Sequence, residues 1–227
     1  MKSEGKSSNQ TANQFANEKK QTLSKVDKSI ASSIDEPIRD IVDFVNKLDN
    51  YFTTSSCSGR IIITGNRKLN DQNKDNLDVV EDSSEVKYNL KKNLKWLYNS
   101  HILIEDSGDE IIKQIHENAQ DYQTLTFKFE PAILHIRSNS SDDLIHARKL
   151  LNISIASGFR NSGMVLSQSK HCTVAIRNTA SLEVPLVDDG ELLVNSDYLR
   201  KLVIIANRKM KSNFVLLERL HSNLTQL

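Results

Sequence analysis

The spacing of apolar residues divides the chain into helices and strands of unequal length. Ile38, Ile41, Val42, Val45 and Leu48 recur at helical spacing behind Glu36-Pro37, with Ser33 and Asp35 as candidate caps. That helix is predicted to end near Asn50. Another is predicted over 15–30, and a short one over 109–119 with Ile111, Ile112 and Ile115 on one side. Strands are predicted at 60-RIIIT-64, at 94–101, on both sides of Pro131 in 124-TLTFKFEPAILHIR-137, and at 164–167, 171–177 and 182–186. A helix capped by Ser140 or Ser141 runs to Ala156 and stops at Gly158. The longest stripe closes the chain: Leu199, Leu202, Val203, Ala206, Met210, Phe214, Leu217 and Leu220 share one face of a helix from Ser196 to about Ser222. The set predicts an α+β fold, a mixed sheet with flanking helices and a long C-terminal helix. One helix leads into CSGRIIIT and another into NSGMVLS, an echo that would fit two related halves with equivalent glycine loops.

The remaining pattern is polar. Residues 1–14 read as a disordered tail and 66–93 as a mobile, charged insertion, which leaves 15–227 as a single domain. Thirty Lys and Arg against 29 Asp and Glu give a formal charge of +1, so any basic surface must come from local segregation. Two cysteines, Cys57 and Cys172, are too few for a disulfide framework or a cysteine-rich zinc site, so no metal is expected. No apolar run approaches the roughly 20 residues of a membrane span, and the N-terminus lacks the apolar stretch of a signal peptide. The expectation is a cytoplasmic protein with no membrane partner.

Two stretches concentrate functional groups. In 55-SSCSGR-60 a nucleophile reading needs a base and a helix N-terminus or cation beside the thiol, yet Cys57 precedes a strand. A zinc reading lacks ligands. What remains is a cradle, with hydroxyls from Ser55, Ser56 and Ser58 and close approach at Gly59, or an ordinary turn of small residues. In 157-SGFRNSG-163, Arg160 and Asn161 can bond a carboxylate or a planar heterocycle, and an exposed Phe159 can stack on one. The alternative there is a polar turn after Gly158. Trp96 and His101 fall on opposite faces of a regular strand, read most simply as a packed Trp and a surface His. Glu130 must be paired, solvated or functional, with His135 a few residues on. Arg177 and Glu183 flank a short connection and can pair with each other, or Glu183 with Arg160.

Six segments carry a family resemblance: 54-TSSCSGRI-61, 96-WLYNSH-101, 127-FKFEPAILHI-136, 156-ASGFRNSG-163, 176-IRNTASLEVPL-186 and 206-ANRKMKSN-213. In order and spacing, over about residues 15–220, they resemble the wybutosine-synthesizing methyltransferases of the third pathway step. That family is the tRNA(Phe) 7-[(3-amino-3-carboxypropyl)-4-demethylwyosine]-N4-methyltransferases. The chain departs from it at Leu94-Lys95, where a glycine is expected before the tryptophan, at Ala132, where an aromatic is expected, and in the longer 66–93 loop. The resemblance implies S-adenosyl-L-methionine as cofactor and tRNA(Phe) as partner, and leaves room for other wybutosine-pathway enzymes. The reaction implied is N4-methylation of a modified guanosine next to the anticodon. No Gly-x-Gly-x-Gly loop follows an N-terminal strand, so the fold is not the Rossmann-like methyltransferase fold. Methyl transfer from a sulfonium is a direct displacement that needs alignment and a dry pocket, not an enzyme thiolate.

In that scheme Ser55, Ser56, Ser58, Gly59, Arg60, Gly158, Phe159, Arg160, Asn161, Ser162 and Gly163 are the implied cofactor-binding residues. His101, His135 or Glu130 takes the ring proton as the methyl arrives. Trp96, Arg177 and Glu183 meet the substrate, and Arg208, Lys209 and Lys211 meet phosphates. On a helical wheel these three share one half of the last helix with Arg200, Lys201 and Arg219, opposite the apolar stripe. The alternative function is a non-catalytic tRNA-binding or pathway-scaffold protein of the same fold. The complete set of polar groups in both loops favours the enzyme.

Overall fold

The computed structural model describes residues 4–24, 34–68, 94–105, 108–139, 144–167 and 172–227. The 66–93 insertion lies outside these residues from 69 on, as do the proposed caps Ser33, Ser140 and Ser141. Five helices are described: α1 (Glu4–Leu23), α2 (Arg39–Lys47), α3 (Asp109–Asn118), α4 (Ile145–Ala156) and α5 (Ser196–Leu224). Nine strands accompany them: β1 (Tyr51–Cys57), β2 (Arg60–Arg67), β3 (Leu94–Ser100), β4 (Tyr122–Glu130), β5 (Ile133–Ser138), β6 (Gly163–Leu166), β7 (Cys172–Arg177), β8 (Leu182–Asp188) and β9 (Glu191–Leu192). The helix expected from residue 15 begins at Glu4, inside the stretch read as a tail.

The strands form two sheets, ordered β1-β5-β7-β6 and β3-β2-β4-β8-β9. Every pairing among the described strands is antiparallel, where one mixed sheet was expected. This α+β arrangement has none of the parallel βαβ crossovers of a Rossmann-like fold. The chain divides into two compact units, interleaved along the sequence rather than successive. The first takes residues 1–59, 131–180 and 211–227, and the second takes 60–130 and 181–210. The two strands on either side of Pro131 therefore belong to different sheets. Proline cannot donate to a ladder, so the chain changes partners there.

In the first unit, alternation along β5 and β7 splits the four-stranded sheet into two faces. Leu134, Ile136, Val174 and Ile176 are fully buried and join one apolar cluster with residues of α2, α4 and the end of α5. The opposite face carries Phe52, Ser55, Cys57, Ile133, His135, Arg137, Ala175 and Arg177, matched across strands by the pairing register. Helix α1 covers one end of that face. Phe15 stacks on Phe52 with ring centroids 5.2 Å apart, and Glu18 pairs with Arg137 at 3.1 Å. The other end carries the candidate chemistry.

In the second unit Ile61, Ile63, Phe127 and Phe129 share one face of the five-stranded sheet and are buried. The apolar stripe of α5 behaves as its spacing predicts: Leu199, Leu202, Val203, Ala206, Met210, Leu217 and Leu220 are all buried.

Candidate functional site

Residues 55–57, expected in a loop, lie within β1. Ser55 pairs with His135 and Cys57 with Ile133, across a register shift between Thr53 and Ser55. Side chains alternate along a strand, so the serines do different things. Ser55 is exposed on the same face as His135, and its Oγ lies 2.8 Å from His135 Nδ1. Thr54 Oγ1 donates to the His135 carbonyl at 3.2 Å. Ser56 lies across from buried Leu134 and points to the other side. Ser58 is fully buried. Its hydroxyl lies 3.4 Å from the Gly59 carbonyl, inside the loop rather than on its surface. Its main chain is held from both sides: the N–H donates to Asp35 Oδ2 at 2.8 Å and the carbonyl accepts from Asn213 Nδ2 at 2.7 Å. Gly59 follows, buried and at φ 93°, a conformation in which a Cβ is strained.

Asp35, one of the two candidate helix caps, makes no capping bond through its side chain and holds the Ser58 loop. Asn213 lay in a matching segment with no role attached. It is buried in the apolar half of α5, and a lone amide there is the signal that could have marked it.

The second loop reaches the same end of the same sheet. Helix α4 stops at Ser157, and Gly158 (φ 105°) turns the chain. Phe159, expected to stack on a ligand, is fully buried in the apolar cluster. It anchors the loop, because a large ring gains more from burial than from a wet surface. Ser162 Oγ donates to the Phe159 carbonyl at 2.7 Å and accepts from the Arg177 N–H at 3.1 Å. Gly163 then pairs with Ala175, which itself pairs with His135. Arg160, Asn161 and Arg177 are exposed. Among the described residues neither the Arg160 nor the Arg177 guanidinium has a carboxylate partner. A Cβ built on Gly163 would lie 3.9 Å from Arg177 Nη2, so that guanidinium lies over the glycine. The two glycine loops thus flank one sheet at its edge strands, three strand spacings or about 14 Å apart. Between them lie His135, Ile133, Ala175 and Arg177.

The second unit holds the other candidates. Arg60 Nε donates to Glu130 Oε2 at 2.6 Å, and its guanidinium carbon sits 5.1 Å from the centre of the Trp96 ring. Trp96, named above as a substrate contact with a packed ring as the alternative, is exposed. Glu183 pairs with Lys128 at 2.6 Å rather than with either predicted arginine, since Lys128 is its register neighbour. His101 follows β3, half-buried. On α5, Arg208 and Lys211 are exposed and Lys209 is half-buried. Arg200 is engaged by Asp109 and Asp197, at 3.2 and 3.3 Å. Neither Cys57 nor Cys172 is disulfide-bonded. Among the described residues no helix is long and apolar enough to cross a membrane.

With this geometry in hand, the relatives are informative. The family model described as Methyltransferase TYW3 matches residues 17–226. A Danio rerio protein named tRNA wybutosine-synthesizing protein 3 homolog is 37% identical over 205 residues, covering 90% of this chain and 72% of the relative. A Pyrococcus furiosus protein is 33% identical over 221 residues, covering 96% of this chain and 98% of the relative. It is named tRNA(Phe) 7-((3-amino-3-carboxypropyl)-4-demethylwyosine(37)-N(4))-methyltransferase 1. A solved Pyrococcus horikoshii protein has a TM-score of 0.73 at 30% identity, covering 93% of this chain and 96% of that one. An Aeropyrum pernix protein at 22% identity shares the fold, with a TM-score of 0.61.

Proposed function

This chain belongs to the Methyltransferase TYW3 family, and from that membership we propose that it methylates N4 of the 4-demethylwyosine-type base at position 37 of tRNA(Phe). The proposed methyl donor is S-adenosyl-L-methionine. The observation that carries the reading is the approach of both glycine loops to one end of one sheet, with a Ser–His pair and the Arg177 guanidinium between them. A span of about 14 Å suits a nucleoside-sized ligand. Gly59 and Gly163 remove side chains from its two sides, and Arg160 and Arg177 have no carboxylate partner of their own among the described residues.

When bound, the cofactor supplies an electrophilic methyl group on a sulfonium. The chain's own part is to align the acceptor nitrogen and take its proton. In this reading His135 does so, and its contact with Ser55 supports that. If its Nδ1–H donates to Ser55 Oγ, Nε2 keeps a lone pair and becomes the base. Glu130 is held by Arg60 and is less suited to the task. In this mechanism Cys57 packs and lines the cradle, because no covalent intermediate is required.

The test is incubation of the purified protein with adenosylmethionine and tRNA(Phe) carrying 4-demethylwyosine with its aminocarboxypropyl chain. Gain of one methyl group on the nucleoside at position 37, read by mass spectrometry, is the expected result. Binding of that tRNA without methylation would favour the scaffold reading.

A further inference from the structure

Arg177 ends β7 with its main chain tied to the second glycine loop through Ser162, and its guanidinium lies over Gly163. It shares a face with Ser55, Cys57 and His135, one diagonal register step from His135. Among the described residues no carboxylate neutralises it. By contrast Arg60, Arg137 and Arg200 each have one within 3.3 Å. A guanidinium left unpaired beside a main-chain floor that lacks a side chain is suited to a planar anion, which it can bond with two parallel N–H groups.

We propose that Arg177 receives the carboxylate of a 3-amino-3-carboxypropyl group. This rests on the function proposed above, and it names the part of the ligand that the site reads. The group occurs in both reactants. In adenosylmethionine it hangs from the sulfonium. In the substrate for which the Pyrococcus furiosus relative is named it hangs from the base. Both sources offer the same carboxylate, and Arg177 binds one of them. If it binds the cofactor, Arg177 sets affinity for the methyl donor. If it binds the base, Arg177 makes the enzyme require a substrate on which the chain has already been installed. The preceding reaction must then be an aminocarboxypropyl transfer.

Arg177→Gln and Arg177→Lys separate the sources. Calorimetry compares adenosylmethionine with 5′-methylthioadenosine, which lacks the chain. Methyl transfer compares tRNA(Phe) bearing 4-demethylwyosine with and without the chain. Losing a charged hydrogen-bond pair reduces binding by roughly 10- to 100-fold. If the cofactor is the source, Arg177→Gln loses that factor for adenosylmethionine and none for methylthioadenosine. If the base is the source, it loses that factor in kcat/KM for the chain-bearing tRNA alone, and cofactor binding is unchanged. Arg177→Lys keeps the charge and recovers part of either loss. Equal losses with and without the chain, or no loss in either comparison, overturn the proposal. Should the unaltered protein methylate neither tRNA, the function is misassigned, while the calorimetry still decides whether the guanidinium reads a carboxylate. Arg177 is exposed, so melting temperatures should match the unaltered protein and exclude misfolding as the cause.

Discussion

The side-chain amide of Asn213 joins two loops: Nδ2 donates to the Ser58 carbonyl at 2.7 Å, and Oδ1 accepts from the Ala132 N–H at 2.8 Å. All three residues are buried, so water cannot replace either bond. Asn213→Ala should destabilise the protein by about 2–4 kcal/mol, because two main-chain groups lose their partners. Asn213→Asp keeps the acceptor but sets a carboxylate oxygen against the Ser58 carbonyl, and should cost at least as much. Urea unfolding measures both. A change below about 0.5 kcal/mol for Asn213→Ala would mean that the loops hold without it.

Phe159 supports the second glycine loop from inside the core. Phe159→Ala should cost about 3–5 kcal/mol, and Phe159→Leu much less. The folded fraction of the leucine variant should bind adenosylmethionine normally. Weakened binding at full stability would return Phe159 to the role of a stacking residue.

His135 and Glu130 divide on the proton. His135→Asn should lower kcat for methyl transfer by about 10²- to 10⁴-fold with little change in cofactor affinity. Glu130→Gln should leave most of kcat, because that carboxylate already serves Arg60. Single-turnover rates at saturating tRNA give the comparison, and a reversed order would transfer the base role to Glu130.

The basic side of α5 is narrower than its helical wheel implies, because Asp109 and Asp197 hold Arg200. Replacing Arg208, Lys209 and Lys211 together with glutamine should weaken tRNA binding and flatten its salt dependence by about one unit of slope per lost contact. Arg200→Gln should leave the slope as it is. An unchanged slope in the triple variant would move the RNA-binding surface elsewhere.

Tyr51 gives the fold an alkaline limit. Its hydroxyl donates to the His146 carbonyl at 3.1 Å, and burial pushes its pKa from 10.0 up to about 12. The unfolded phenol loses its proton first, so the folded state binds more protons across that window. Tyr51 stabilisation is therefore complete below pH 10.0 and is lost as pH rises through about 12. In thermal melts over this range, Tyr51→Phe should fall less steeply than the unaltered protein. Parallel slopes would assign the loss to other groups.

The sequence alone determined most of the elements and their order, though not β1, β9 or the start of α1. The stripe from Leu199 to Leu220, the strands on both sides of Pro131 and the stop at Gly158 all follow from periodicity and turn chemistry, which act between residues close in the chain. The six matching segments pointed to the family for a similar reason, since side-chain identity is written at each position. Partnership was a matter for the tertiary structure. Nothing local distinguishes Ser55, which faces His135, from Ser58, which is buried between Asp35 and Asn213. Strand register decides that, and register is set by pairings 80 residues apart. Phe159 and Asp35 were misread for the same cause: an exposed ring and a helix cap are local expectations, overruled by a core and a loop assembled from distant segments. The division into two sheets was hidden as well, because strand partners are chosen by the total free energy of long-range burial and hydrogen bonding, to which no single stretch of sequence holds the answer.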